Sequence, residues 1–211
     1  MGVSCLFLLK KPNLFLKNAT GSLSVMSYLI FWPYFMLNMI ALGLFRVFYR
    51  EKVFDEIVPN LYIGMKLWFI DYQQFTLKGI KSTLDLTSEF GETRFIQTGQ
   101  NYLCIPLLDT TAPTLDQLTE AISWITAHLS KGPVFIHCAL GHGRSATVVA
   151  GFLIQHEIVS EVKEAVAFIK AIRPKVSLHP NQLAILIKFT ELCKYKKVKR
   201  VRNENSIRPI S

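Results

Sequence analysis

The sequence predicts an α/β domain, a central and mostly parallel sheet flanked by helices, preceded by a hydrophobic N-terminal helix. Three observations carry that prediction. After Arg50, short β-rich runs alternate with segments of helical period, turn residues separate them, and no charged residue occurs from Asn18 to Phe45. Alternation of strands and helices implies helices layered on a sheet. A charge-free run of 28 residues is more than a surface helix of a soluble domain usually shows.

The first element is an apolar helix over about 23–46, in a segment spanning 1–50. About 20 apolar residues suffice to cross a bilayer, and Tyr28, Trp32 and Tyr34 suit a lipid–water interface. Pro33 kinks such a helix or ends a shorter one. Two membrane readings follow, a spanning helix or one lying in the interface; a buried soluble helix is the plainer alternative. Lys10, Lys11 and Lys17 on one side balance Arg46, Arg50 and Lys52 on the other, so flanking charge sets no orientation. Leu6 occupies the position where a myristoylation signal needs Ser or Thr, and Asn18-Ala19-Thr20 is a sequon that matters only in a lumenal segment.

The globular part is expected over 51–194. Leu61–Ile63, Ser82–Leu86, Tyr102–Ile105 and Val134–His137 read as strands from their β-branched and apolar content. Thr114 is a helix cap, with Leu115, Leu118, Ile122, Ile125 and Leu129 on one face of the helix that follows. Further helices run from about Arg144 to His156, from Ser160 to Ile172 before Pro174, and from near Pro180 into a basic tail over 195–211.

The net charge of +9 is not spread along the chain. Residues 1–50 carry +5, residues 51–193 carry −2, and residues 194–211 carry +6. A nucleic-acid-binding domain needs its basic residues on a folded face, so that class of partner is excluded. A basic tail adjoining an apolar helix fits attraction to anionic lipid, with a solvated end as the alternative.

The chemistry-bearing stretch is His137-Cys138-Ala139-Leu140-Gly141-His142-Gly143-Arg144-Ser145. A strand ends at the cysteine, a glycine-containing loop follows, and a helix begins at the arginine. Backbone N–H groups of such a loop converge on an anion at a helix N-terminus. The same amides, with Arg144, favour the nucleophilic thiolate of Cys138. Arg144 has the planar fork that holds two phosphate oxygens. Cys5, Cys104 and Cys193 show no paired spacing and no metal-site pattern, so neither a metal nor another cofactor is expected. A reactive thiol requires a reducing compartment, which places the catalytic domain toward the cytosol or an equivalent space.

This Cys-x5-Arg stretch, with its flanking His137 and Ser145, resembles the signature of the protein tyrosine phosphatase superfamily in its dual-specificity form. The resemblance extends over roughly 60–193 and is greatest to the PTP-like phosphatidylglycerophosphate phosphatases. Ser88-Glu-Phe-Gly-Glu-Thr-Arg-Phe95, Asp109-Thr-Thr-Ala-Pro-Thr-Leu-Asp-Gln-Leu118 and Ile172-Arg-Pro through Gln182-Leu183 carry it beyond the loop. It implies a cysteine-phosphatase fold and hydrolysis of a phosphate monoester through a phosphocysteine. Cys138 is then the nucleophile, Arg144 and the backbone of Ala139 to Gly143 the phosphate cradle, and Ser145 the stabiliser of the departing thiolate. His137 orients the loop.

The family's general acid lies on a loop some thirty residues before the cysteine. Asp109, 29 residues before Cys138, is the candidate, with Asp116 as rival. Glu89, Glu92 and Arg94 read plainly as a solvated helix start; only the resemblance makes them pocket residues. Ala139 stands where that branch often has a cation, which leaves His142 as the loop's extra ionisable group, charged at mildly acid pH. A single fixed cation suits one monoester phosphate. The expected substrate is a phosphorylated lipid, or alternatively a phosphoprotein; a silent phosphate-binding module would require a broken loop, and this loop is whole.

Overall fold

The computed structural model describes residues 15–206, with side chains to Lys199. Lys10, Lys11, Cys5, the Met1-Gly2 terminus and the last basic side chains lie outside the described residues. In chain order the elements are α1 (Val25–Tyr49), β1 (Phe54–Val58), β2 (Leu61–Gly64), a 3-10 turn (Phe69–Asp71), α2 (Tyr72–Leu77), β3 (Ser82–Thr87), α3 (Arg94–Gly99) and β4 (Asn101–Leu107). They continue with α4 (Leu115–Leu129), β5 (Val134–His137), α5 (Arg144–Gln155), α6 (Val162–Ile172) and α7 (Pro180–Ser206).

Five strands form one sheet in the order β1-β2-β5-β3-β4. β2, β5, β3 and β4 run parallel, and β1 pairs antiparallel to β2 at the edge. Buried on both faces, β5 is continuously apolar until its last residue. Val134 and Ile136 enter one core with Leu61, Ile63, Leu84 and α4 to α7, while Phe135 enters the other with Phe54, Phe75 and Ile96. That division follows from strand geometry, in which successive side chains point to opposite faces. β1, α2 and α3 escape the periodicity reading because each is only five or six residues long.

α5 is the central helix. Every residue from Arg144 to Ile154 is buried, and α4, α6 and α7 all pack on it. Gly151 permits the close approach of α4, since a Cβ there would meet Ile122 Cδ1 at 2.9 Å. The Thr114 cap forms as expected, with its hydroxyl accepting from the Gln117 N–H and the Gln117 side chain accepting from the Thr114 N–H. α7 differs from expectation. It continues as helix through the basic stretch, and its Lys197 pairs with Glu157 beyond the C-terminal end of α5. Lys197 therefore sits at the end of α5 away from the Cys138 loop.

The N-terminal segment is welded to the sheet before α1 begins. Lys17 bridges in backbone to Leu23, the Asn18 side chain accepts from Ser22 N–H, and Glu92 N–H donates to Gly21 C=O. The Lys17 ammonium lies beneath the domain surface, 2.6 Å from Asp85 Oδ2 and 2.7 Å from the Thr87 carbonyl. Burial alone would raise the Asp85 carboxyl; Lys17 foremost, then His137, outweigh it and hold Asp85 well below the usual carboxylate range.

A buried charge that loses its partner costs about 3–5 kcal/mol. Lys17→Met is expected to destabilise the protein by about 3 kcal/mol, read from its urea midpoint. Because a depressed folded-state pKa contributes stability that disappears as pH falls, the acid-unfolding midpoint of the variant should also move to higher pH. Unchanged urea and acid midpoints would show that Lys17 contributes nothing there.

Candidate active site

The loop from Cys138 to Gly143 lies beyond the carboxyl end of β5, between β2 and β3, where ligands bind in open α/β sheets. Gly141 makes the loop possible. Its φ is +77°, and a Cβ would stand 2.6 Å from the Gly64 carbonyl carbon, so β2 and the loop approach backbone to backbone. The loop is fastened from outside: Lys66 N–H donates to Ala139 C=O, and the Arg173 guanidinium donates to Leu140 C=O at 2.9 Å. Arg173 is itself held by Asp55 at 2.7 Å.

Cys138 is buried at the floor of a cavity of about 170 Å³ lined by Asp109, Thr110, the loop, Ser177, His179 and Gln182. Its Sγ lies 3.3 Å from the Gly141 N–H donor and 3.3 Å from Ser145 Oγ. The other thiols are of a different kind: burial, then Asp85, pushes Cys104 up to about 12, and burial raises Cys193.

Arg144 is fully buried. Its Nη1 and Nη2 donate to the two carboxylate oxygens of Glu89 at 2.9 and 2.6 Å, and Nη1 also donates to the Leu107 carbonyl at 2.8 Å. Burial would lower its pKa, yet Glu89 leads the groups that raise it, so the charge is permanent. Asp109 reaches the same guanidinium, its Oδ1 3.1 Å from Nη2, while its side chain stays 59% exposed. Arg144 Nε is left without a hydrogen-bond partner among the described residues. Asp116 is exposed in the first turn of α4, outside the cavity.

Asp109 sits on a loop held from below by α7. Asn181 donates to the Thr110 carbonyl and Gln182 to the Thr111 carbonyl, at 3.1 and 2.9 Å. Thr110 has φ +62°, an uncommon conformation for a β-branched residue that turns the chain immediately after the carboxylate.

His137 points away from the cavity into a charged cluster. Its Nε2 is 3.2 Å from Glu92 Oε2 and 3.8 Å from Asp85 Oδ1. Lys66 closes the other side of Glu92 at 2.6 Å. Burial opposes ionisation of Glu92, but Lys66 and His137 prevail and bring it down to about 2. Asp85, Glu92 and His137 have the mutual spacing of a metal-ligand set. Two ammonium groups, Lys17 and Lys66, already meet the two carboxylates at 2.6 Å, and this donor set is satisfied as an ion-pair network.

Two expectations change here. Glu89 and Glu92 are not a solvated helix start but buried partners of Arg144 and His137, whereas Arg94 is exposed. His142 is not a readily charged pocket group: burial lowers its pKa against the opposing effect of Glu51, whose Oε2 is 2.7 Å from its ring Nε2. Lys17 and Lys66 are supporting residues that sequence reading missed, because isolated charged residues carry no motif; Arg173 and Gln182 lie in stretches that carry the family resemblance, but their supporting contacts were not read from them.

Known proteins match this arrangement. The family model for the dual-specificity phosphatase catalytic domain matches residues 61–192. The chain belongs to that family. It is therefore a cysteine-type phosphatase, a phosphoric monoester hydrolase. Among relatives, the Arabidopsis thaliana phosphatidylglycerophosphate phosphatase PTPMT2 is 27% identical over 170 residues, covering 78% of this chain and 73% of that protein. The human phosphatidylglycerophosphatase and protein-tyrosine phosphatase 1 is 32% identical over 148 residues, 64% of this chain and 72% of the relative. In fold, the chain is similar to the crystal structure of PTPMT1 in complex with PI(5)P, with a TM-score of 0.63, 24% identity, and coverage of 69% of this chain and 99% of that one.

Removing the Glu89 carboxylate strands a buried guanidinium. Glu89→Ala is expected to cost about 3–5 kcal/mol in urea unfolding. A loss below about 1 kcal/mol, the size of an exposed pair, would mean that the Arg144–Glu89 contact is solvated.

Proposed function

We propose that the chain is a membrane-held lipid phosphatase that removes the terminal phosphate of phosphatidylglycerophosphate or a similar phosphoglyceride, through a phosphocysteine on Cys138. The observation that carries the chemistry is the Cys138 sulfur, set between the Gly141 N–H and Ser145 Oγ, with Arg144 buried beneath the cavity. Arg144 Nε, without a partner among the described residues, is the donor left for a phosphate oxygen, and substrate phosphate shares Nη2 with Asp109, 3.1 Å away.

In the first step the Cys138 thiolate forms an S–P bond as the P–O bond to the alcohol breaks, and Asp109 gives its proton to the leaving oxygen. In the second, the Asp109 carboxylate takes a proton from water. The water oxygen bonds to phosphorus, the S–P bond breaks, and Ser145 donates to the returning thiolate. Charge on the transferring phosphoryl group is met by Arg144 and the loop amides. His137, held by Glu92, acts by positioning the loop.

Two features support a lipid monoester. No Lys or Arg lines the cavity among the described residues, so Arg144 beneath it is the fixed cation, suited to one phosphate group. Helix α1, long and apolar enough to cross a membrane, packs beside the site, and the two relatives above carry phosphatidylglycerophosphate or phosphatidylglycerophosphatase in their names. Tethering at a bilayer raises the effective concentration of lipid head groups. The human relative's name also includes protein-tyrosine phosphatase, which makes a phosphotyrosine peptide the second substrate to test.

Cys138→Ser should abolish turnover of every substrate. Asp109→Asn should lower kcat by about 10²–10⁴-fold on alkyl phosphates, and less on aryl phosphates whose leaving group needs no proton. Equal losses on both would remove Asp109 as the acid. Side by side, kcat/KM on phosphatidylglycerophosphate in mixed vesicles should exceed that on phosphotyrosine peptides; the reverse order by orders of magnitude would replace the lipid reading with the protein one.

A further inference from the structure

The placement of α1 is not that of a spanning helix. Contacts with the catalytic domain run along its whole length. At the start, Tyr28 stands over Gly91 of the domain, and Ser27 donates to the carbonyl of Phe15 in the preceding segment. In the middle, Phe35 packs with Phe15 and with Leu108, the residue before Asp109. Toward the end, Gly43 lies against Trp68, and Arg46 stacks over Trp68 and pairs with Asp71 at 2.6 Å. Phe45 meets the His142 ring edge-on at 5.5 Å, and the Tyr49 carbonyl faces Lys175.

Both ends of a 25-residue helix, about 37 Å long, are thus tied to one polar domain. A bilayer cannot separate those ends while these contacts stand.

The opposite side of α1 covers nothing in the protein. Val25, Leu29, Ile30, Trp32, Leu37 and Val47 are 58–74% exposed, with the most exposed at 74% and the least at 58%. Phe69 and Ile70, on the turn beside Trp68, extend this apolar face at 87% and 78% exposure. The charges exposed at the C-terminal end of the helix are Arg50, Lys52 and Lys175, while Glu51 is spent on His142 and Arg173. An apolar face ending in cations is complementary to an anionic lipid surface.

We infer that α1 lies in the plane of such a surface, its outward face in the acyl region and its inward face on the catalytic domain, so that the Cys138 cavity opens at head-group depth. The helix passes close by the site, from Tyr34, within electrostatic reach of Glu89, Arg144 and Asp109, to Phe45 against His142. A lipid phosphate then reaches Arg144 without its acyl chains leaving the bilayer. This deepens the anchoring part of the proposed function and does not depend on which head group is cleaved.

The test uses the full chain bound to vesicles of four parts phosphatidylcholine to one part phosphatidylglycerol. Leu29, Ile40 or Val47, which span about 27 Å of helix, is replaced by a small fluorescent amino acid and quenched by lipids brominated at defined depths. The expected result is one shallow depth for all three. A graded profile, with Ile40 at the bilayer centre and the other two near opposite surfaces, overturns the inference.

Combined Leu29→Glu, Ile40→Glu and Val47→Glu substitutions should lower the vesicle-bound fraction at least tenfold and leave turnover of a soluble aryl phosphate within about twofold. Undiminished vesicle binding overturns the inference, as does a lipid-independent dimer that buries these three positions. Depth is read without turnover, so failure to hydrolyse phosphatidylglycerophosphate counts against the substrate reading alone.

Discussion

The site depends on one buried ion pair. Arg144 lies fully buried beneath the Cys138 cavity, and an unpaired guanidinium in that position would be too costly to bury. Glu89 resolves the conflict by taking two of its donors in a bidentate pair, with the Leu107 carbonyl sharing Nη1. The geometry is over-determined, since the fork is planar and both carboxylate oxygens engage it. Nε is left without a hydrogen-bond partner among the described residues, and in the proposed reaction it meets phosphate in an orientation set by protein contacts. Such preorganisation is what gives electrostatic stabilisation its effect in a transition state.

A second layer of charge carries this order outward. Glu92 joins His137 to Lys66, Asp85 joins His137 to Lys17, and the Lys66 amide holds the loop at Ala139. Arg173 fixes the other side of the loop from Asp55 and Glu51. Each carboxylate here faces a cation, which is why Asp85 and Glu92 stay ionised despite burial. Lys17 is notable because it comes from the segment ahead of α1. The charged network around the loop and the apolar helix α1 are therefore parts of one packed structure.

The parallel core was legible because its signals are long or local. β5, the Thr114 cap, α5 and the Cys-x5-Arg loop each announce themselves within a dozen residues. Asp109 could be found by its distance from Cys138 together with family resemblance, and it does lie 3.1 Å from Arg144. Glu89 and Lys17 could not be found by pattern. They sit 55 and 68 residues in sequence from their partners Arg144 and Asp85, and exposed and buried charges look alike in one sequence. The same limit governs α1. Its apolarity shows in the sequence, whereas its packing on the domain through Arg46 with Asp71 and Phe35 with Leu108 does not.

The proposed reaction passes through a covalent bond between Cys138 and phosphorus. In Asp109→Asn, an aryl phosphate still phosphorylates the thiolate because its leaving group needs no proton, while hydrolysis slows for want of a base. Rapid acid quenching of that variant with a radiolabelled aryl phosphate, followed by peptide mapping, reads the intermediate directly. The account predicts label on the peptide containing Cys138 and none when Cys138 is also Ser. Label on another residue, or steady turnover without any covalent label, would contradict it.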